Sequence, residues 1–202
     1  ETYIPLIHVF EGLLAERIPF RITMSMSPPL LGMLRDELLQ KRYLRHLDQL
    51  IELARREMDR TAGQPEFAPL AKMYYDSFTA ARDTFANRYG CDLTKAFGML
   101  QEAGGLELIT CGATHGFLPL MDGNRKAIGA QIRVAKEYHE ETFGRPPRGI
   151  WLPECGYAPG IDEFLADEGI EFFILDTHGI LYASPRPKYG IYAPIFCESG
   201  VA

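Results

Sequence analysis

The sequence contains no run of apolar residues that approaches the roughly 18 positions needed by a membrane-spanning helix. Its first residues also lack the pattern of a secretory signal peptide. Positive charge is scarce as well, since 21 Lys and Arg residues face 27 Asp and Glu residues and leave a net charge of −6. Nucleic acids and anionic membrane surfaces both attract basic proteins. We therefore expect neither a nucleic acid nor a membrane as a partner.

Cysteine is sparse and scattered along the chain. The four thiols are those of Cys91, Cys111, Cys155 and Cys197, with no CxxC pair and no dense framework. This spacing is typical of reduced thiols in the cytoplasm rather than of secreted disulfides, and it provides no recognisable set of metal ligands. The sequence thus predicts a cytoplasmic protein without a bound metal or a cofactor.

The size of the chain limits the number of domains. Its 202 residues, 47% of them hydrophobic, can bury one substantial core but hardly two independent ones. The sequence begins at Glu1 without an initiator methionine and stops at "FCESGVA", where a strand-like stretch has barely finished. We therefore interpret residues 1–202 as belonging to one domain of a larger protein, whose oligomeric state the sequence does not indicate.

Hydrophobic periodicity changes halfway along the chain, from long helical patterns to short apolar runs that alternate with helices. The predicted helices span 1–17, 33–60, 67–89, 93–103, 124–143 and 161–169, and the predicted strands span 20–28, 106–110, 149–152, 171–175 and 190–197. Strands that alternate with helices indicate parallel βαβ units. The sequence therefore predicts an α/β fold that forms part of a barrel, with residues 33–103 as a long helical excursion between early strands.

Polar, reactive side chains follow three consecutive predicted strands. The run "LELIT" leads to His115, "GIWL" leads to Glu154, and "FFIL" leads to Asp176 and His178. Because the carboxyl ends of neighbouring parallel strands meet at one edge of a sheet, these side chains are expected to share one cleft. The three strand ends therefore predict an active site there.

Each of these residues also has a simpler structural interpretation. Glu154 could form an ion pair with Arg148, although a carboxylate beside a buried strand is costly without a partner. Trp151 could be a core residue or a platform for a sugar ring. Cys111 and Cys155 lie beside the motifs, but their spacing gives no defensible metal site.

The histidines and the aspartate allow similar alternatives. His115 could be a hydrogen-bonded histidine of the core or of a helix start, Asp176 could cap a turn, and His178 could be a loop residue without a role. A glutamate at a strand end suits either the nucleophile of a retaining glycoside hydrolase or a general acid or base beside a metal-bound water. The residues alone leave both chemistries open.

Two motifs resemble those of a known family. The stretches "GATHGFLPL" (112–120) and "WLPECGY" (151–157) are similar to the second and third motifs of glycoside hydrolase family 57. The cysteine after the glutamate in "WLPECGY" resembles the form found in the α-1,4-glucan branching enzymes of that family. The stretches "ETYIPLI", "ILDTHGI" and "APIFCESGVA" resemble further segments of the same enzymes, so that the likeness spans essentially the whole sequence.

The resemblance implies a catalytic domain built on a (β/α)7 barrel that acts on α-glucans such as amylose, amylopectin and glycogen by a retaining mechanism. Glu154 stands at the position of the family nucleophile, and His115 matches the histidine expected to contact the sugar at the cleavage point. The substrate-binding residues implied in this way are His115, Trp151, Cys155, Asp176 and His178. Residues 1–202 would then form an incomplete (β/α)7-barrel catalytic domain with the helical residues 33–103 inserted in it.

Other parts of the family pattern are not found in this sequence. The first histidine-rich motif would precede residue 1, while the acid/base aspartate and a helical domain would follow residue 202. Asp176 is the one carboxylate at a neighbouring strand end that could replace that aspartate. We therefore expect residues 1–202 to be inactive as an isolated chain.

Several alternatives to a branching enzyme stay open at this point. A 4-α-glucanotransferase or an α-amylase of the same family would use the same nucleophile. A metal-dependent carbohydrate deacetylase would use His115, Asp176 and His178 as ligands. A glucan-binding module would keep the fold without the chemistry.

Overall fold

The computed structural model describes residues 2–202, so the first residue of the predicted helix 1–17 lies outside the described residues. By their internal contacts the described residues divide into two compact units, one of residues 2–20 and 32–105, the other of residues 21–31 and 106–202. The helices, in chain order, are α1 (Tyr3–Ala15), α2 (Pro28–Arg35), α3 (Glu37–Thr61), α4 (Ala68–Asp83), α5 (Thr94–Glu102), α6 (Arg125–Phe143), α7 (Ile161–Asp167) and α8 (Thr177–Leu181). The strands are β1 (Ile22–Ser25), β2 (Leu106–Cys111), β3 (Gly149–Trp151) and β4 (Phe172–Ile174).

The first unit is helical. Helices α3 and α4 pack along each other, and a π-helical turn at Thr84–Arg88 follows α4 directly. Edge-to-face aromatic pairs fix its core, with Tyr43 against Phe85 at 4.8 Å and Tyr3 against Phe97 at 6.0 Å between ring centroids. The interpretation of 33–103 as an insertion within a barrel domain stays a prediction.

The predicted helix 33–60 is wrong at its start, because two helices meet there. Helix α2 ends at Arg35, and Asp36 adopts an extended backbone conformation with φ −74° and ψ 118°. The carboxylate of Asp36 accepts a hydrogen bond from the Leu39 backbone N–H at 2.8 Å, and so caps α3. An apolar repeat continues through this junction, which is why periodicity alone missed the break.

The second unit contains a parallel sheet with the strand order β1-β2-β3-β4. Strands β1 and β2 pair from Ile22 with Leu106 onward, and β3 pairs with β2 on one side and with β4 on the other. The fold prediction of an α/β protein with parallel strands is thus confirmed. Because all four strands run in one direction, their carboxyl ends share one edge of the sheet.

The core of the second unit lies between the sheet and the helices α6 and α7. Helix α6 buries one face at three- and four-residue spacing. Strand β3 lies between β2 and β4 and buries Gly149 and Ile150. The buried side chains of this core are Leu118, Ile128, Ile132, Ile150, Leu152, Ile161, Leu165, Ile170 and Val201. This packing holds the ends of β2 and β3, where the loops of the site begin, next to each other.

The predicted strand 190–197 is wrong. This segment contains a 3₁₀ turn at Gly190–Tyr192 followed by irregular chain, and Tyr192 is 91% exposed. Pro194 has no backbone N–H to donate within a sheet. The backbone of Ala202 lies beside β4 instead, since it accepts from the N–H of Phe173 and donates to the carbonyl of Glu171, both at 2.9 Å.

No helix within residues 2–202 combines the length and the hydropathy needed to span a bilayer.

Candidate active site

The carboxyl ends of β2, β3 and β4 lie side by side. Cys111, the last residue of β2, pairs with Trp151, the last residue of β3, and Trp151 pairs in turn with Ile174, the last residue of β4. The chain leaves all three strands at the same level of the sheet. Residues that are far apart in sequence therefore begin their loops next to one another.

Glu154 lies on a tight turn immediately after β3. The 3₁₀ turn Pro153–Cys155 holds Glu154 at φ 54° and Cys155 at φ 53°, a left-handed backbone conformation that L-residues rarely adopt. The Glu154 side chain is 77% exposed, and its Oε1 is 3.3 Å from Nε2 of His115. Such strain at a reactive side chain is typical of a functional turn, because surrounding packing has to maintain it.

His115 lies between a thiol and this carboxylate. It too has a left-handed backbone, at φ 56°, and its Nδ1 is 3.0 Å from Sγ of Cys111. Its side chain is 46% exposed, so it is not a core histidine, and the following 3₁₀ helix begins only at Leu118. Cys111, His115 and Glu154 therefore form one hydrogen-bonded row across the ends of β2 and β3.

Helix α6 fixes the loop that carries His115. The side-chain Oε1 of Gln131 accepts from the Thr114 backbone N–H, and its Nε2 donates to the Thr114 hydroxyl, each at 2.8 Å. The Gln131 backbone carbonyl also accepts from the N–H of Ala113 at 2.9 Å. One residue of α6 thus anchors two consecutive residues just before His115.

The turn after β3 packs closely against the chain that follows His115. A Cβ added to Gly156 would lie 2.4 Å from a ring carbon of Phe117, well inside van der Waals contact. Gly156 is itself buried. The absence of a side chain at this glycine lets the two segments approach each other and bring Glu154 next to His115.

The end of β4 supplies Asp176 and His178. Asp176 occupies the N-cap position of α8, but its side chain makes no capping hydrogen bond, and its Oδ2 is 4.0 Å from Nδ1 of His178. Burial, followed by the negative charges of Asp176 and Glu154, raises the pKa of the Cys155 thiol. Cys155 therefore lies near both carboxylates, and Asp176 belongs to the same edge of the sheet as Glu154.

The alternative ion pair between Glu154 and Arg148 does not form. Arg148 precedes β3 and pairs with Glu171 at 2.9 Å and with Glu107 at 3.4 Å, at the opposite end of the strands. Trp151, the last residue of β3, is half-buried.

The thiol of Cys111 is protonated at neutral pH. Burial raises its pKa to about 11, and the negative charge of Glu154 acts in the same direction. The Cys111 side chain can therefore act as a hydrogen-bond donor in this row.

No group of three His, Cys, Asp or Glu side chains within residues 2–202 is arranged to hold a metal ion. His115, Asp176 and His178, the ligands that a metal-dependent deacetylase would need, are not brought together as such a set. The geometry of the described site gives this alternative no support.

Sequence reasoning missed the roles of Cys111 and Gln131. Gln131 follows Ile128 by three residues and precedes Ala135 by four, so it lies on the apolar stripe of α6. A polar residue on that stripe was the available signal. For Cys111 the signal was its place as the last buried residue of a strand that ends in a polar loop.

Known proteins resemble this chain over its whole described length. The 1,4-alpha-glucan branching enzyme of Thermococcus kodakarensis is 33% identical over 205 residues, which cover 94% of this chain and 30% of that protein. The α-amylase AmyC of Thermotoga maritima is 42% identical with a TM-score of 0.95. The GH57-type branching enzyme of Pyrococcus horikoshii is 29% identical with a TM-score of 0.89. Both of these structures match 100% of this chain, which covers 38% and 40% of theirs.

The chain therefore spans about a third of the length of the relatives that it matches. The likeness to these structures is consistent with a parallel α/β unit that forms part of a barrel. The family model of glycosyl hydrolase family 57 matches residues 1–201, which confirms the resemblance inferred from the two motifs. The chain belongs to glycosyl hydrolase family 57.

Proposed function

We propose that this chain is part of an α-1,4-glucan branching enzyme, in which Glu154 is the nucleophile of a retaining double displacement. The observation that carries the proposal is the exposed Glu154 carboxylate, held on a strained turn at a strand end and 3.3 Å from His115. The 33% identity to a branching enzyme and the cysteine after the glutamate support branching in particular.

The first step of the proposed reaction forms a covalent intermediate. A carboxylate oxygen of Glu154 attacks the anomeric carbon of the donor glucan, and the bond from that carbon to the leaving 4-oxygen breaks. A second carboxylic acid protonates the leaving oxygen. In the second step the 6-hydroxyl oxygen of an acceptor glucan attacks the same carbon, its proton passes to the second carboxylate, and Glu154 is released.

The other residues of the strand ends then have defined roles. His115 orients the Glu154 carboxylate or contacts the sugar hydroxyls at the cleavage point. Trp151, Cys155, Asp176 and His178 form the wall of the cleft. No residue of this site is assigned as the second acid. Without that acid, proton transfer to the leaving oxygen should slow by roughly 10²- to 10⁴-fold. We therefore expect residues 1–202 alone to be inactive.

An α-amylase is the second candidate. The observation that favours it is the 42% identity and the TM-score of 0.95 with the α-amylase AmyC of Thermotoga maritima. Hydrolysis would use the same nucleophile and the same first step, but water would replace the 6-hydroxyl as the acceptor. A 4-α-glucanotransferase would instead use a 4-hydroxyl. The acceptor therefore distinguishes these reactions, whereas Glu154 is common to all of them.

Proton NMR of amylose incubated with the full-length gene product tests the proposal. New α-1,6 anomeric signals are expected with the wild type, and they should be absent with Glu154→Gln, which keeps the shape of the side chain but cannot form the glycosyl ester. Glu137→Gln is the matched control, because Glu137 is exposed on α6 and should be dispensable. Glucan binding by Glu154→Gln should stay nearly unchanged.

The other outcomes each identify a different function. New reducing ends without α-1,6 signals would replace the branching proposal with the α-amylase. Branching that survives Glu154→Gln would exclude Glu154 as the nucleophile. Glucan binding without any turnover would indicate a binding module. Acetate released from an acetylated glucan by a metal-loaded protein would indicate the deacetylase.

A further inference from the structure

We infer that Cys111 is a positioning residue, whose thiol holds His115 in the tautomer that carries its proton on Nε2, toward Glu154. The contacts that support this are the 3.0 Å distance from Cys111 Sγ to His115 Nδ1 and the 3.3 Å distance from His115 Nε2 to Glu154 Oε1. The tautomer is inferred from these contacts and from the proton on the buried thiol, whereas its importance for turnover rests on the proposed function.

The donors and acceptors in the row can be assigned from its two ends. A neutral imidazole has one donor nitrogen and one acceptor nitrogen, and an ionised carboxylate can only accept. Because the buried Cys111 thiol keeps its proton, it can donate to Nδ1. The ring proton is then on Nε2, where it is donated to Glu154.

The opposite tautomer is disfavoured at both ends. With the proton on Nδ1, the unprotonated Nε2 would face the Glu154 carboxylate at 3.3 Å, which places two acceptors against each other. The thiol hydrogen would also have to turn away from Nδ1 at the end of β2, where Cys111 is only 1% exposed. A buried donor without an acceptor carries a free-energy penalty.

The backbone prevents the row from rearranging. Cys111 is fixed by its pairing with Trp151, and the His115 N–H donates to the carbonyl of Gly112 at 2.9 Å, which closes the loop between them. Gln131 holds Thr114 from α6 through two further hydrogen bonds. The backbone positions from which the Cys111 thiol and the His115 imidazole extend are therefore held in place.

Loss of the thiol hydrogen should change the tautomer of His115 while the fold is retained. In Cys111→Ala, Nδ1 has no donor, so the ring should populate both tautomers and its plane should be less well fixed. The loss of one neutral hydrogen bond that positions a reacting group corresponds to a decrease in kcat of about fivefold to tenfold. KM should change by less than about twofold, because Cys111 is buried behind His115 and does not contact substrate.

The test uses the full-length gene product with histidine labelled selectively with ¹⁵N. Nitrogen chemical shifts distinguish protonated from unprotonated ring nitrogens, and the His115→Gln variant identifies the His115 signals by their loss. The wild type should have a protonated Nε2 and an unprotonated Nδ1. Cys111→Ser keeps a donor and should retain both this tautomer and most of kcat, whereas Cys111→Ala should have averaged shifts for the two nitrogens.

Ile109→Val is the matched structural control. Ile109 is 1% exposed on the same strand two residues before Cys111, so the variant loses a buried methyl without touching the row. It should reduce stability and leave the tautomer of His115 unchanged. A change of tautomer in both Cys111→Ala and Ile109→Val would indicate a general packing effect and would overturn the inference.

Three further results would overturn it. These are a wild-type ring with its proton on Nδ1 or on both nitrogens, a Cys111→Ala ring with the wild-type tautomer, and a Cys111→Ala enzyme with altered tautomer but wild-type kcat. Absence of glucan turnover in the wild type would refute the proposed function instead, and the nitrogen shifts would still decide whether Cys111 sets the tautomer.

Discussion

A fall in pH should destabilise this chain through one buried histidine, His139. His139 lies on α6 with no exposed surface, and neither ring nitrogen has a hydrogen-bond partner among residues 2–202. Its ring packs against Phe143 with 4.8 Å between ring centroids. Burial, followed by the positive charge of Arg145, lowers the pKa of His139 from 6.5 to about 4.

The direction of the pH effect follows from the two states of the chain. The unfolded chain binds a proton at His139 near the ordinary pKa of about 6.5, whereas the folded chain resists that proton down to about pH 4. The stability associated with the neutral ring is therefore complete above about pH 7 and is lost as the pH falls from about 6.5 to about 4. Over this whole pH interval the free energy of unfolding falls by about 3 kcal/mol, of which about 2 kcal/mol is lost by about pH 5.

Urea unfolding at several pH values measures this effect. Trp151 is the one tryptophan of the 202 residues, and it lies on β3, which shares a core with α6, so its fluorescence reports on this region. His139→Leu removes the titrating ring and its two unpaired nitrogens. It should raise stability by about 1 kcal/mol near pH 7.5 and should flatten the pH dependence. Ile132→Val, buried on the same face of α6, should cost about 1 kcal/mol at every pH.

One result would refute this reasoning. If the free energy of unfolding of His139→Leu falls between about pH 7.5 and pH 5 as steeply as that of the wild type, His139 is not the group that destabilises the folded chain in acid. A flattened pH dependence in Ile132→Val would show instead that packing on α6 controls the response.

Two further predictions concern the turn after β3 and the opposite end of the strands. Gly156→Ala should lower the free energy of unfolding by about 1 to 3 kcal/mol and reduce turnover, because its Cβ would lie 2.4 Å from the Phe117 ring. Phe117→Leu should relieve part of this loss in the double variant. Urea unfolding measures the stability of both variants, and a glucan assay measures their turnover. Arg148→Gln should lower the free energy of unfolding by less than about 1 kcal/mol and leave turnover unchanged. The reason is that the half-exposed Arg148 side chain pairs with Glu171 and Glu107, away from Glu154. A large loss of turnover would contradict the assigned geometry.

Much of the second unit could be predicted from the sequence, because its strands and helices agree with simple periodic patterns. The predicted strand 106–110 corresponds to β2, and the predicted helix 124–143 corresponds to α6 within one residue at its start. The same patterns failed where a local hydrogen bond or a missing donor decides the structure. Asp36 interrupts an apolar repeat that continues past it, and the β-like segment that contains Pro194, a residue without a backbone N–H, is not part of the sheet.

The candidate site was predicted only in part, for a related reason. Glu154 and His115 could be selected because they follow apolar strands, and parallel strands bring such ends together. Their direct contact depends on two turns with positive φ, which no periodicity encodes. Cys111 and Gln131 act on these residues through side-chain hydrogen bonds between different elements, so their roles become visible only in three dimensions.

The distribution of backbone strain supports the same location for the reaction. Of the five non-glycine residues with positive φ among residues 2–202, three are His115, Glu154 and Cys155. Each such residue costs on the order of 1 kcal/mol or more, so the packing beneath must maintain it. That packing is present, because Leu152 is fully buried just after β3 and Leu118 is fully buried just after the His115 loop. Both turns therefore lie on one continuous core, and this core supports the contact between the exposed carboxylate and its histidine.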